Sequence, residues 1–262
     1  MKVAITGAGG RMGRTLIEAV LADPALQLGA ALEAPGSPAL GQVAGGVTIG
    51  AALEAIGSVD VLIDFTRPEG TLAYLETCLA LGKAMVIGTT GFGDPQRARI
   101  AEAARRIPIA FSPNFAIGVN VVFRLAQTAA KALGDAYDVE IVEAHHRHKV
   151  DAPSGTALKL GELVAGALGR DLGQVALHGR SGDTGERPAK AIGFHAIRGG
   201  DIVGEHTVIF AGQGERVEIA VRSQSRMTYA AGALRAAKWL RGRAPGLYDM
   251  FDVLGLRTPG AV

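Results

Sequence analysis

Along the first half of the chain, short apolar runs alternate with segments whose apolar side chains recur every three or four positions. Lys2–Thr6, Leu26–Leu32, Val59–Phe65, Ala84–Gly88 and Ile107–Phe111 read as strands. Met12–Ala22, Glu69–Leu81 and Pro95–Arg105 carry the helical period between them. Strand–helix alternation of this kind predicts a parallel sheet with helices on both faces. The Gly- and Pro-rich stretch Ala34–Ser58 breaks the rhythm and is expected to be irregular, with a short helix near Leu53.

The pattern changes after Ile117. A helix is predicted over Val119–Leu133, a strand over Tyr137–Ala144, and a helix over Thr156–Leu168. From Ala189 to Arg222 three strand-like runs follow one another without helices, separated by the turn signals GGD and GQGE. Gly166–Arg187 reads as a polar loop, and a last helix is predicted over Thr228–Arg241. The fold class is therefore α/β: a Rossmann-like parallel-sheet domain and a second α+β domain with a mixed or antiparallel sheet.

Composition narrows the class. Of 262 residues, 48% are apolar, enough for a sizeable core and too many for disorder. Lys and Arg number 27 against 25 Asp and Glu, so the near-neutral balance argues against a nucleic-acid coat. The one cysteine, Cys78, sits in a helical stretch and reads as a small buried hydrophobe. No apolar run has the roughly 18 residues that span a membrane, and the N-terminus has no secretory pattern. A soluble, cytoplasmic protein is expected.

The segment KVAITGAGGRMGRTLIEAV is a strand, a glycine turn and a helix start. Met12 takes the third position of a strict G-x-G-x-x-G, while Gly7-x-x-Gly10-x-x-Gly13 serves the same physics. Small residues let the backbone approach a pyrophosphate, which the helix N-terminus then favours electrostatically. Glu33, twenty residues beyond Gly13 and ending the second strand, can accept bonds from ribose hydroxyls. Gly88-Thr89-Thr90-Gly91 and Ser112-Pro113-Asn114-Phe115 each follow a strand, where ligands of such sheets bind; either could equally be an ordinary turn.

The densest chemistry lies in EAHHRHKVDAPSGTAL, Glu143 to Leu158, which sets His145, His146, Arg147, His148 and Lys149 side by side. A solvated basic loop is the plain reading. A metal site is disfavoured because no ligand set of familiar spacing is present. The favoured reading is an anionic-substrate and proton-transfer site. Backbone amides after Pro153, with the Ser154 and Thr156 hydroxyls, form a carboxylate pocket at a helix start, where Ser154 also serves as an N-cap.

The run Glu-Ala-His-His-Arg-His-Lys-Val-Asp-Ala-Pro-Ser-Gly-Thr resembles the signature of dihydrodipicolinate reductases. GAGGRMGR, IDFTRPEG, VIGTTGF, SPNFAIGVN, GDIVGEHTV and SRMTYAAGALRAAKWL extend that resemblance over essentially the whole chain. It implies NAD(P)H-dependent reduction of (2S,4S)-4-hydroxy-2,3,4,5-tetrahydrodipicolinate to tetrahydrodipicolinate with loss of water, in the diaminopimelate route to lysine. It further implies that Gly7, Ala8, Gly9, Gly10, Arg11 and Met12 hold the pyrophosphate and Glu33 the ribose. Gly88, Thr89 and Thr90, with Ser112, Pro113, Asn114 and Phe115, would surround the nicotinamide. His145 would be the proton donor/acceptor and Lys149 the proton donor, with His146, Ser154, Gly155 and Thr156 binding substrate.

The same resemblance implies a dinucleotide domain over residues 1–116, completed by 227–262, and a substrate-binding and oligomerisation domain over 117–226. It implies a hinge between them and a homotetramer assembled through the second domain's sheets. One position departs from the pattern: where many relatives carry Arg after the ribose-binding acid, this chain has Ala34. Without that cation Glu33 would repel a 2′-phosphate, so use of both NADH and NADPH is expected, with some NADH preference. Two rivals remain: another two-domain nicotinamide-dependent dehydrogenase, which would have no reason to carry HHRHK-x-DAPSGT, and a non-catalytic dinucleotide sensor, which would have no use for proton-transfer residues.

Overall fold

A computed structural model describes residues 1–257. The chain forms two compact units, one of Met1–Ile117 together with the residues from Arg226 onward, the other of Gly118–Ser225. In chain order the first unit contributes β1 (Lys2–Thr6), α1 (Arg11–Ala22), β2 (Gln27–Leu32), β3 (Val43–Ala44), β4 (Val47–Gly50), β5 (Val61–Asp64), α2 (Pro68–Leu81), β6 (Ala84–Ile87), α3 (Asp94–Ala103) and β7 (Pro108–Phe111). The second holds α4 (Ile117–Leu133, whose first residue belongs to the first unit), β8 (Asp138–His145), α5 (Gly155–Ala167), α6 (Leu172–Val175), β9 (Ala176–His178), β10 (Ile192–Arg198), β11 (Gly204–Ala211) and β12 (Arg216–Ser223). The chain then rejoins the first unit with α7 (Met227–Leu240), β13 (Gly246–Tyr248) and α8 (Met250–Leu254).

The first unit is an eight-stranded sheet in the order β13-β7-β6-β5-β1-β2-β4-β3, parallel except for the β3–β4 hairpin at its edge. Successive strand residues face opposite sides, so both faces must be apolar and both are covered. Val3, Ile5, Val61 and Ile63 pack with Leu16, Ile17 and Val20 of α1 and Ala233 and Leu240 of α7. Ala4, Leu62 and Ile87 pack on the other face with Leu75 and Cys78 of α2 and Ile100 of α3. Each fully buried leucine here contributes about 1.5–3 kcal/mol. Helix α2 begins with Pro68 and ends at Gly82 in the left-handed conformation, the usual start and stop signals. Burial pushes the Cys78 thiol up to about 12, so it is a packing group rather than a nucleophile.

The second unit is a five-stranded mixed sheet ordered β12-β11-β8-β10-β9. Strands β9, β10 and β8 are parallel, and β11 runs antiparallel to both β8 and β12. Buried and half-buried residues alternate strictly along β11, so His206 shares the buried row of Val208 and Phe210. Helix α5 buries Leu160 and Val164.

Three regions depart from the periodicity reading. The stretch Ala34–Ser58 contains β3 and β4 before its short helical turn at Leu53–Ser58. Gly166–Arg187, read as loop, contains α6 and β9, which adds an edge strand to the second sheet. After α7 the chain adds β13 to the first sheet and then α8. Apart from the expected helical turn at Leu53–Ser58, these elements are two to five residues long, too short to show a period, and β4, β9 and β13 exist because a neighbouring strand edge pairs with them. Among the described residues no helix is long and apolar enough to cross a membrane.

Candidate active site

The glycine turn joins β1 to α1 at the carboxyl edge of the first sheet. Gly7 has φ +61°, which a side chain resists, and its carbonyl accepts the Gly10 amide at 2.9 Å. A Cβ on Gly13 would lie 2.0 Å from the Gly7 carbonyl oxygen, so only glycine lets the helix pack on the turn. Gly10 caps α1 without a side chain, and the first turn carries no acid, leaving an open, positive helix start. Glu33 bridges this turn and its own loop: Oε2 accepts the Gly9 amide at 2.9 Å and Oε1 the Ala34 amide at 3.0 Å. Each oxygen keeps acceptor capacity for a further donor.

These groups open onto one cavity of about 940 Å³ in the first unit. Of the residues expected to hold a dinucleotide, Gly7, Gly10, Arg11, Met12, Glu33, Gly88, Pro113, Asn114 and Phe115 line it. Ala8, Thr89 and Ser112 are buried, and Gly9 acts through Glu33. Thr90 is exposed and is not part of the lining. Instead of facing a ligand, the Thr89 side chain turns inward to Asp64.

Asp64, fully buried at the end of β5, accepts hydroxyls from Thr6 at 2.6 Å, Thr66 at 2.7 Å and Thr89 at 2.9 Å, and from Thr71. One carboxylate thereby ties the end of β1 and the first turns of α2 to the loops after β5 and β6. The cavity also takes Phe65, Thr66, Arg67, Glu69, Gly70 and Tyr74, then Arg226 and Tyr229 from the returning chain. The loop after β5 obeys the same strand-end rule as GTTG and SPNF, so sequence could have flagged it. Arg226 and Tyr229 had no such signal, because only the return of α7 brings them there.

In the second unit, β8 ends on His145 and the polar segment begins. Glu143, 1% exposed, accepts a bond at 2.6 Å from His145 Nδ1 and a two-pronged pair from Arg198 of β10 at 2.7 Å each. It also accepts the Ser154 amide at 3.1 Å. Burial pulls the Glu143 carboxyl upward, but the Arg198 and His145 bonds outweigh that and hold it below the ordinary carboxylate range. An ionised Glu143 favours the Nδ1–H tautomer of His145 and leaves its Nε2 unprotonated in the neutral ring. Burial lowers the His145 pKa; Glu143 opposes this, and the nearby Lys149 and Arg198 cations reinforce it.

Lys149 Nζ pairs with Asp151 at 2.9 Å, and His146 Nδ1 is buried with no partner among the described residues. Ser154, 1% exposed, caps α5 by accepting the Ala157 amide at 3.2 Å, and Gly155 and Thr156 begin that helix. Its hydroxyl also meets Nε2 of the buried His206 at 2.9 Å. The residues expected on this segment are therefore gathered by β8 and the start of α5. Glu143, Arg198 and His206 were not foreseen. Arg198 and His206 stand far along the chain, and sheet register alone puts them beside it: Arg198 pairs with His145, and His206 with Glu143. Among the described residues no group of three or more His, Cys, Asp or Glu could hold a metal ion.

A parallel sheet that offers a glycine turn, an open helix start and a carboxylate at a strand end to one large cavity has the form of the dinucleotide half of an oxidoreductase. The second unit sets a histidine held by a buried carboxylate close to a lysine, on a mixed sheet rather than a second nucleotide fold. The model of the N-terminus of dihydrodipicolinate reductase matches residues 1–115, and that of its C-terminus matches 118–254. The chain belongs to the dihydrodipicolinate reductase family. It is 59% identical to the 4-hydroxy-tetrahydrodipicolinate reductase of Thiobacillus denitrificans, over 98% of this chain and 99% of that one. The reductase of the same name from Dechloromonas aromatica is 58% identical, over 98% of each. A solved dipicolinate-bound dihydrodipicolinate reductase from Paenisporosarcina superposes with a TM-score of 0.79 at 26% identity, covering 96% of this chain and 98% of that one.

Proposed function

We propose that this oxidoreductase reduces 4-hydroxy-tetrahydrodipicolinate to tetrahydrodipicolinate with loss of water, using NADH or NADPH, in diaminopimelate and lysine biosynthesis. The observation that carries it is the Arg198–Glu143–His145 chain beside Lys149, an acid–base arrangement set against a helix start that suits a dicarboxylate. Substrate carboxylates are bound by His146, Ser154, Gly155 and Thr156.

A nicotinamide dinucleotide fits the first unit, because its glycine contacts leave no room for a Cβ and its helix start has no competing acid. Gly7 through Met12 hold the pyrophosphate, Glu33 the ribose, and Gly88 with Pro113 to Phe115 the nicotinamide end; Thr89 and Ser112 support them from beneath. When bound, the nicotinamide would supply hydride to the ring, which departure of the 4-hydroxyl as water has left conjugated. Electron density that builds on the ring is quenched by a proton from the chain's own acid. With His145 held toward its neutral form, Lys149 delivers that proton from Nζ, and His145 Nε2 accepts and relays. Glu143 keeps the imidazole oriented throughout.

Glu33 without a neighbouring cation at Ala34 favours NADH over NADPH, with Arg11 in the cavity lining moderating the preference. In this reading residues 1–116 with 227–262 form the dinucleotide domain, and residues 117–226 bind substrate and assemble a cytoplasmic homotetramer. The deciding experiment follows oxidation of NADH and NADPH with substrate generated in situ by a coupling synthase from pyruvate and aspartate semialdehyde. Synthase-dependent oxidation by both cofactors is expected. Folded protein that binds a dinucleotide yet oxidises neither overturns the reading, and a kcat/KM favouring NADPH about tenfold, roughly 1.4 kcal/mol, overturns the cofactor preference.

A further inference from the structure

Ser154 and His206 meet across the second unit, from the start of α5 to the buried face of β11, and the direction of their hydrogen bond has a functional consequence. The Ser154 oxygen has two acceptor sites and one proton. One acceptor site is filled by the Ala157 amide at 3.2 Å. The contact with His206 Nε2 at 2.9 Å uses either the second acceptor site or the proton.

His206 itself distinguishes the two. It is 3% exposed, and its other nitrogen, Nδ1, is buried with no partner among the described residues. If Ser154 donated to Nε2, a neutral ring would carry its proton on Nδ1 and bury an unpaired N–H. If Nε2–H donates to Ser154, the orphan is only an acceptor lone pair. Buried unpaired N–H groups are the rarer and costlier kind. The second arrangement fills both acceptor sites of Ser154 and leaves its proton without an acceptor among the described residues.

We infer that His206 is a positioning residue that donates Nε2–H to Ser154 and so presents the Ser154 hydroxyl proton to a substrate carboxylate at the start of α5. The inference rests on the reading of Ser154, Gly155 and Thr156 as the carboxylate cradle. It gives the buried histidine of GDIVGEHTV a task that its sequence position, more than fifty residues after Ser154, does not betray. A charged His206 would add a further cation, beside Lys149 and Arg198, near the His145 ring, whose centroid lies 5.2 Å away. Burial, with His145, Lys149 and Arg198 nearby, lowers its pKa to about 4 and keeps it a neutral donor.

The test uses the full-length enzyme and dipicolinate, a stable planar dicarboxylate, with affinity measured by calorimetry. Ser154→Ala and His206→Leu should each weaken dipicolinate binding about tenfold, the size of one lost hydrogen bond to a charged group. The double variant should be no weaker than either single one, because both remove the same donor. His206→Gln, whose amide N–H can reach Ser154, should restore affinity, and NADH affinity should stay within about twofold throughout. An unaffected Ser154→Ala overturns the cradle itself. A weakened Ser154→Ala with an unaffected or strictly additive His206→Leu overturns only the role of His206. Should His206→Leu fail to fold, nitrogen-15 spectra of the wild-type histidines decide: a protonated Nε2 on His206 is expected, and a protonated Nδ1 overturns the inference.

Discussion

The two units build their candidate sites by opposite means. In the first, the cavity is framed mostly by backbone features: a glycine turn, a bare helix start and strand-end loops. In the second it is side chains held by other side chains, with His145 oriented by Glu143, Glu143 by Arg198, and Ser154 in contact with His206. A backbone site is sensitive to added volume and indifferent to protonation. A side-chain network tolerates little change of chemistry and responds to pH. The Asp64 hub, which gathers four threonine hydroxyls, is the nearest the first unit comes to the second unit's style.

The largest expected effect separates chemistry from cofactor binding. Lys149→Ala should lower kcat by about 10²–10⁴, the usual contribution of a positioned proton donor, while NADH affinity stays near normal. Near-normal kcat at saturating substrate would remove Lys149 from its role. Gly13→Ala is the mirror experiment. Its Cβ meets Gly7 backbone at 2.0 Å, so the turn must shift, with a loss of about 1–3 kcal/mol in stability and weakened NADH affinity. Thermal denaturation and NADH fluorescence titration would check both, and dipicolinate affinity should not move.

A smaller effect tests the pH contrast. The folded protein resists protonating His206, whose pKa is about 4 against an ordinary 6.5. The unfolded chain therefore takes up that proton first. Stability is complete above pH 6.5 and is lost as pH falls toward about 4, by about 2 kcal/mol near pH 5. The carboxylates held low, such as Glu143, add to the loss only below the ordinary carboxylate range. Urea denaturation at several pH values should show a shallower slope in His206→Gln; an identical slope would mean His206 is not resisting the proton. The smallest effect lies in the first unit, where Ala34→Arg should shift kcat/KM toward NADPH by about tenfold, one well-placed charge contact.

Legibility followed the same divide. The glycine turn, Glu33 and the strand-end loops could be read because each is a local device: a few residues whose conformational freedom or charge has meaning by itself. His145, Lys149 and Ser154 stood out because the family signature is contiguous. Thr89 could be located but not oriented, since its hydroxyl is claimed by Asp64 twenty-five residues earlier. The strands β4, β9 and β13 are too short to carry a period and form only where an edge awaits them.

The sequence by itself determined the alternation that makes a parallel sheet, the change to a second kind of sheet after Ile117, and the backbone positions only glycine can hold. These follow from side-chain period and from steric limits on single residues, which need no distant partner. Tertiary structure alone decided that Arg198 neutralises Glu143, that His206 lies against Ser154, and that Arg226 and Tyr229 line the cavity of the first unit. Those relations depend on strand register and on where the chain returns, and many sequences with the same local pattern could satisfy them differently.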